Sequence, residues 1–278
     1  MSSNAKIFRK GSKTYFTASL FFPPEVRRDV FSLYAFVRTA DDFVDSVPQR
    51  KEEFYKFKKL YLKSLKSCKK SGNEIIDNFI DLFYRKKFKS EWVSAFLESM
   101  ELDLTKKKYK SIDETLHYIY GSAEVIGLFM ARILDLPKKA DKHAQMLGRA
   151  MQMINFIRDI AEDNTFGRAY LPLDSKMKSL DYSFASSNKD MFVKYIHRNS
   201  LLYKKWQKSA EEGYKYIPKR YLVPIKTAAD MYLWTASQIE KNPMIVYEKK
   251  VKPSRFRILK TLIANEVKCF RTSTKEKL

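Results

Sequence analysis

The 278-residue sequence has few of the residues that interrupt or crosslink a chain. It contains seven glycines, nine prolines and two cysteines. Short alternating segments are scarce, so little in the chain indicates β-strands. The two cysteines, Cys68 and Cys269, are too few for a zinc cluster of the cysteine type or for a disulfide framework.

The motifs of several common enzyme classes are also missing. The three histidines, His117, His143 and His197, have no metal-ligand spacing, and no glycine-rich phosphate loop is present. Nucleotide hydrolysis and dinucleotide redox chemistry are therefore disfavoured. No apolar run approaches the roughly 18 residues of a membrane-spanning helix, and the N-terminus lacks the core of a signal peptide. We expect a cytoplasmic protein.

The sequence has long stretches in which apolar residues recur every three or four positions, as in FSLYAFVRTADDFV and EWVSAFLESMELDL. This period predicts helices throughout. Proline pairs or single prolines separate the segments: Pro23-Pro24 should open a helix, Leu136-Pro137 should end one, and the second half should be punctuated at Pro172, Pro218, Pro224, Pro243 and Pro253. We predict about eight to ten helices in a single all-α domain over residues 1–278.

The formal net charge of +22 favours anionic partners such as phosphorylated substrates, anionic lipid or nucleic acid. A lysine-rich solvated surface is the simplest explanation of this charge. No zinc finger, RNA-binding aromatic motif or helix-turn-helix pattern accompanies it, so a nucleic-acid partner is not expected.

The stretch RTADDFVDS places acidic residues directly after the apolar run VFSLYAFV. Asp41 and Asp45 are four residues apart, so on a helix they share one face, about 6 Å apart along the axis. Arg38 lies one turn before them. Two like charges on an inward-looking face destabilise a helix unless something compensates them.

A second acidic face occurs in the segment GRAMQMINFIRDIAEDNTFGRAYLP. Its polar residues Asn155, Asp159 and Asp163 are spaced by four, with Gln152 one turn earlier and Arg158 adjacent. The other residues around them are apolar. The chain thus carries two helical segments, each with an Asp-x-x-x-Asp pair in apolar surroundings.

Two explanations fit these pairs. Each could be a solvated or structural ion pair, with Arg38 and Arg158 as the partners. Alternatively, carboxylate oxygens of this kind suit a hard cation such as Mg²⁺, which binds one or two carboxylates together with phosphate oxygens. Two facing pairs with a diphosphate between them would then form a cluster that draws off a diphosphate leaving group.

Four segments together resemble the signature regions of the squalene/phytoene synthase family. They are SKTYF (12–16), YAFVRTADDFVD (34–45), YIYGSAEVIG (118–127) and MINFIRDIAEDNTFGRAYLP (153–172). The resemblance implies an all-α isoprenoid synthase fold, a helical bundle around a central cavity. It also implies head-to-head condensation of two prenyl diphosphates through a cyclopropylcarbinyl diphosphate to a linear hydrocarbon.

The resemblance implies a role for each matching residue. The metal ligands would be Asp41, Asp42, Asp45, Asn155, Asp159 and Asp163, with Glu162 in support. The catalytic residues would be Asp41, Asp45, Asp159, Asp163, Tyr118 and Tyr232. The residues that contact substrate would be Ser12, Lys13, Tyr34, Arg38, Gln152, Asn155, Arg158, Arg168 and Tyr170.

The chain departs from the family near its C-terminal end. Where the family often carries arginine, the stretch EKKVKPSR has Lys249, Lys250 and Lys252. Lysine keeps the charge but lacks the bidentate fork of arginine, so a diphosphate role there is in doubt.

The form YGSAEVIG resembles microbial phytoene synthases, so the expected product is phytoene from two geranylgeranyl diphosphates. Mg²⁺ is the expected cofactor, Mn²⁺ would also suit, and NADPH is not expected for phytoene. The alternative is squalene or dehydrosqualene from two farnesyl diphosphates. A basic, non-enzymatic scaffold or nucleic-acid-binding protein is a remote alternative that leaves the aspartates unexplained.

The C-terminal segment PSRFRILKTLIANEVKCF has apolar residues at helical spacing among basic ones: Phe256, Leu259, Ile263, Val267 and Phe270. This spacing predicts a final helix packed on the core. Because the surface is basic and the expected substrates are hydrophobic, we also expect peripheral contact with anionic membranes.

Overall fold

The computed structural model of the chain describes residues 3–275, except for the side chains of Lys13, Thr14 and residues 270–275. Within that part of the chain, no helix combines the length and the apolar composition needed to cross a bilayer. The predicted all-α fold is confirmed.

The described residues form fifteen α-helical segments: α1 Ser3–Gly11, α2 Lys13–Ser19, α3 Pro24–Asp45, α4 Lys51–Ser67, α5 Glu74–Arg85, α6 Ser90–Thr105, α7 Ile112–Ile119, α8 Val125–Ile133, α9 Asp141–Arg158, α10 Ile160–Thr165, α11 Tyr182–Ser187, α12 Lys189–Glu211, α13 Lys219–Lys241, α14 Ile245–Glu248 and α15 Arg255–Lys275. A π-helical turn, Tyr120–Glu124, joins α7 to α8. The prediction of eight to ten helices was too low, because several periodic segments divide into shorter helices.

Most predicted proline positions lie at helix boundaries, but Pro224 does not. Pro24 opens α3 at its first position, as predicted, and Pro218 immediately precedes α13. Pro224 lies inside α13 instead of interrupting it. A proline there removes one backbone hydrogen bond, and its buried ring lines the cavity described below.

The core of the N-terminal half is an aromatic cluster between α3, α5, α6 and α8. The rings of Phe36 and Phe79 stack with centroids 3.8 Å apart, and Phe96 and Phe129 lie edge-on or tilted against them. These rings are fully buried. They hold α3, which carries the first acidic motif, against its neighbours.

The core of the C-terminal half lies between α9, α12 and α13. Phe156 of α9 stacks on Tyr170 with ring centroids 4.5 Å apart, while Ile154 and Ile157 are completely buried. α9 packs along α12 on one side and along α8 and the π-helical turn on the other. The helix that carries Asn155 and leads into the acidic pair Asp159 and Asp163 is therefore enclosed on both sides.

The second acidic segment is not one continuous helix. α9 ends at Arg158 and α10 begins at Ile160, because Asp159 has φ −98° and ψ 13°. The backbone hydrogen bonds still run through this point, with the Asp163 N–H donating to the Asp159 carbonyl at 2.8 Å. The polar stripe therefore bends at Asp159.

Three glycines allow helices to approach closely around the middle of the fold. A Cβ at Gly121, Gly127 or Gly148 would lie well inside van der Waals contact of a backbone carbonyl on the neighbouring helix. Since backbone atoms cannot move aside as a flexible side chain can, these positions exclude any larger residue.

We predict that Gly148→Ala lowers the free energy of unfolding. Alanine favours a helix interior by about 1 kcal/mol over glycine, but overpacking against the Ala123 carbonyl costs about 1–3 kcal/mol and should dominate. Urea denaturation followed by circular dichroism measures the change. A Gly148→Ala variant that is more stable than the wild type would show that the two helices can separate freely.

Candidate active site

A cavity of about 420 Å³ lies between α3 and α9 and continues towards α2 and α13. Along α3 its lining changes from Val30 and Leu33 to Arg38 and Asp41. Along α9 it changes in the same sense, from Ala144 and Leu147 to Gln152 and Asn155. The cavity therefore has a polar end and a longer apolar part, which suits a ligand with a polar head and a hydrocarbon tail.

The first acidic motif is held by an arginine on its own helix. Arg38 places one Nη atom 2.7 Å from Asp41 Oδ2 and the other 2.5 Å from Asp42 Oδ1. This follows from helical geometry, because residues three and four positions apart are neighbours on the surface of a helix. Burial and the nearby Asp45 nevertheless raise the pKa of Asp41 to about 8.

The second acidic motif has its own cations. Arg158 forms a two-point contact with Asp159, at 2.9 Å from Nε to Oδ1 and 2.5 Å from Nη2 to Oδ2. Lys250 lies 3.2 Å from Asp159 and also pairs with Glu162. Burial and the charge of Asp159 raise the pKa of Asp163 to about 8.

Arg168 joins the two motifs. Its Nη1 donates to Asp45 Oδ1 at 2.8 Å, and its Nη2 donates to the backbone carbonyls of Val44 and Asp103. The charge of Asp45 in the first motif raises the pKa of Asp163 in the second, and the charge of Arg168 lowers it. The structure thus brings the two predicted acidic pairs to one place.

A buried carboxylate that the sequence analysis missed lies behind this arginine. Asp103 accepts hydrogen bonds from the hydroxyls of Tyr118 at 2.7 Å and Tyr170 at 2.6 Å. Burial raises the pKa of Asp103 to about 6. Its signal in the sequence is an acidic residue between two leucines in a helical run, the same kind of signal that marked Asp41.

The other predicted tyrosines lie near the cavity. The ring of Tyr34 stacks on Phe8 with centroids 3.8 Å apart. Tyr232 accepts a 2.7 Å hydrogen bond from the hydroxyl of Tyr15, a cavity residue that was not predicted, and burial raises the pKa of Tyr15. Tyr15 belongs to the quoted SKTYF segment, so its position could have been identified there.

The predicted N-terminal contacts are placed differently. Ser12 is the N-cap of α2, where its hydroxyl accepts from the Tyr15 N–H at 3.2 Å, and it does not line the cavity. The side chain of Lys13 lies outside the described residues.

The polar end of the cavity has the donor set that Mg²⁺ prefers. Asn155 donates from Nδ2 to Gln152 at 3.1 Å, whereas its buried Oδ1 has no hydrogen-bond partner in the described part of the chain. This amide oxygen and the carboxylates beside it are hard oxygen ligands. Among the described residues, no three His, Cys, Asp or Glu side chains converge on one point. The residues fit an ion that also takes ligands from a bound phosphate.

Comparison with known proteins indicates the same family in the family model and in the curated relatives. A family model described as squalene/phytoene synthase matches residues 8–257. The chain is 27% identical to the 15-cis-phytoene synthase of Pantoea ananas over 256 residues, which cover 86% of this chain and 82% of the relative. It is 29% identical to a phytoene synthase of Thermus thermophilus over 61% of this chain and 58% of the relative.

Solved structures share the fold. A dehydrosqualene synthase in complex with a ligand superimposes with a TM-score of 0.77 at 20% identity, over 97% of this chain and 95% of the other. The squalene synthase HpnC from Alicyclobacillus acidocaldarius gives a TM-score of 0.76 at 19% identity, over 86% and 92%. At these identities the likeness concerns the fold.

We predict that Tyr170→Phe destabilises the protein and that Tyr109→Phe does not. The first change removes the 2.6 Å hydrogen bond to Asp103 and leaves a buried carboxylate oxygen without it, which costs about 1–3 kcal/mol. Tyr109 is a matched control, because its ring stacks on Tyr170 and its buried hydroxyl has no partner among the described residues.

Thermal and urea denaturation of both variants at neutral pH check this prediction. Equal stability of Tyr170→Phe and Tyr109→Phe would mean that the hydrogen bond to Asp103 contributes nothing to the fold.

Proposed function

The chain belongs to the squalene/phytoene synthase family of prenyltransferases, and we propose that it condenses two geranylgeranyl diphosphates head to head to give phytoene. The observation that carries this proposal is that two acidic motifs meet around Arg168 and that one residue of each, Asp41 and Asn155, lines the polar end of an apolar cavity. The names of the curated relatives, which are phytoene synthases, favour the C20 substrate over farnesyl diphosphate.

In the proposed reaction the first substrate loses its diphosphate, and its allylic cation alkylates the double bond of the second. Loss of a proton closes the cyclopropane ring. The resulting cyclopropylcarbinyl diphosphate ionises in turn, rearranges and loses a second proton. Each of the two ionisations needs a cationic surface for the departing diphosphate and an apolar surface for the carbocation that remains.

The residues that would hold Mg²⁺ are the oxygen donors of the two motifs, of which Asp41 and Asn155 line the cavity: Asp41, Asp42, Asp45, Asn155, Asp159 and Asp163. Bound there, Mg²⁺ supplies a Lewis acid for the departing diphosphate, and Mn²⁺ would suit the same oxygens. Arg38, Arg158 and Arg168 already contact these carboxylates, so they are placed to bind diphosphate oxygens as well.

The apolar part of the cavity would hold the prenyl tails and exclude water from the carbocation. Val30, Leu33, Phe96 and Leu147 line this part and offer no nucleophile. Tyr15 lines the cavity, is hydrogen-bonded to Tyr232 and lies close enough to Arg158 for that charge to influence its pKa. The faces of these aromatic rings would attract the carbocation through cation–π interactions.

We expect the purified chain to convert geranylgeranyl diphosphate to phytoene with Mg²⁺ and without NADPH. EDTA should abolish turnover, and added Mg²⁺ or Mn²⁺ should restore it, because the donor set consists of oxygens. Extraction followed by mass spectrometry identifies the hydrocarbon. Farnesyl diphosphate is tested in parallel.

A C30 product formed from farnesyl diphosphate alone would replace the phytoene assignment by dehydrosqualene, and a product that becomes squalene only with NADPH would replace it by squalene. Turnover that persists in a metal-free assay would contradict the proposed role of the acidic motifs.

We predict that Asp41→Asn separates activity from stability. Asparagine keeps the shape of the side chain and cannot become an anion beside Asp45, while Arg38 retains Asp42 as its partner. The metal-free fold should therefore be as stable as the wild type or slightly more stable. Losing about 3–4 kcal/mol of leaving-group stabilisation would slow turnover by roughly two to three decades.

The matched control is Asp81→Asn, which removes an acidic partner of an arginine on α5, away from the cavity lining. It should keep full activity. If Asp41→Asn melts several degrees lower and loses activity only in proportion to unfolded protein, the carboxylate serves the fold. A stable and fully active Asp41→Asn variant would exclude the catalytic role.

A further inference from the structure

The last helix, α15, is fixed to the body of the protein by one face. It packs on α13 and α2, and its residues Ile258 and Leu262 are buried. Asn265 is also buried and donates to Thr227 Oγ1 at 3.2 Å and to Asp230 Oδ2 at 2.8 Å. The orientation of α15 about its own axis is therefore set.

The opposite face of α15 exposes a row of large apolar side chains. Phe256 is 77% exposed, Leu259 46%, Ile263 55% and Val267 45%. Because these residues are spaced by three, four and four, they lie in one line along the helix. We call these four residues the apolar stripe.

Positive charge surrounds the start of the apolar stripe. Arg255, Arg257 and Lys260 are exposed on the same helix, and the guanidinium of Arg257 lies 4.7 Å from the ring centroid of Trp234 on α13. The whole chain carries a formal charge of +22. An apolar face bordered by basic residues is the pattern of a helix that lies in the plane of a membrane interface.

We propose that the apolar stripe inserts into the boundary between headgroups and acyl chains of an anionic lipid bilayer. Basic residues next to the stripe would bind the anionic headgroups, since each such contact strengthens attachment at low ionic strength. A second copy of this chain fits the stripe poorly. Two chains of charge +22 repel each other, and four side chains are few for a stable protein interface of about 800 Å² per partner.

The helix that carries the apolar stripe packs on two helices that line the cavity. α13 contributes Pro224, Ile225 and Ala228 to the cavity lining, and α2 contributes Ala18 and Ser19. α15 packs against the outside of these two helices. With the stripe in a bilayer, the apolar part of the cavity would lie one helix layer from the acyl chains. Binding of the surface to lipid does not depend on the proposed reaction.

Vesicle flotation of the full chain tests the proposal with a matched pair of variants. Leu259→Ser removes one residue of the stripe, and Leu62→Ser removes a leucine of almost equal exposure, 47%, on α4. At low salt the wild type and Leu62→Ser should float equally with phosphatidylglycerol vesicles. Leu259→Ser should bind about fivefold less, because one inserted leucine is lost.

Two further measurements complete the test. Ile263→Ser should reproduce the loss, and circular dichroism should show that all three variants keep the wild-type helix content. The wild type should float at least about tenfold less with neutral phosphatidylcholine vesicles, because the attraction to headgroups is lost.

The proposal is overturned if the wild type does not float with phosphatidylglycerol vesicles, or if Leu259→Ser and Leu62→Ser bind them equally. If equal amounts of the wild type float with neutral and with anionic vesicles, attraction to anionic headgroups does not contribute to binding. If sedimentation shows a dimer that Leu259→Ser dissociates, the stripe is an interface between two copies instead.

Discussion

Mutual repulsion among carboxylates at the polar end of the cavity is the constraint on which the rest of the site depends. Burial and neighbouring acids raise the pKa of Asp41 and of Asp163 to about 8, so both anions are unfavourable in the protein alone. The chain gives each acidic motif an arginine of its own and places Arg168 between the two motifs. The acidic groups therefore stay oriented while remaining available to a divalent cation and a diphosphate.

The arginine that joins the motifs is itself held by a further set of buried polar groups. The carbonyls of Val44 and Asp103 accept from Arg168, and the Asp103 carboxylate is fixed by two tyrosine hydroxyls. Both Asp103 carboxylate oxygens and the two carbonyls have defined partners, which favours a rigid network. The positions of the metal-binding candidates thus depend on a layer of residues behind them, between α3, α6 and the segment after α10.

The sequence was sufficient for features that depend on local pattern, and insufficient for features that depend on packing between distant segments. Helical periodicity and the first-turn Pro24 could be predicted because both are local properties. The bend at Asp159 and the helical position of Pro224 could not, because the apolar period continues through Asp159 and a proline ordinarily interrupts a helix. Asp103 lies 65 residues from Arg168, and nothing in a single sequence shows that the two meet.

The first acidic motif and part of the apolar cavity lining lie on α3, and α9 carries Asn155 together with more of that lining. On α3 the lining runs from Val30 to Asp41, and eleven residues of helix extend about 16 Å. On α9 it runs from Ala144 to Asn155 in the same sense. The head of a substrate bound at the aspartates would thus fix where its tail meets the residues at the far end of both helices. Under the proposed function, packing at those positions would select the tail length. This explains why the motifs point to a reaction class, whereas the choice between C15 and C20 rests on the depth of the cavity.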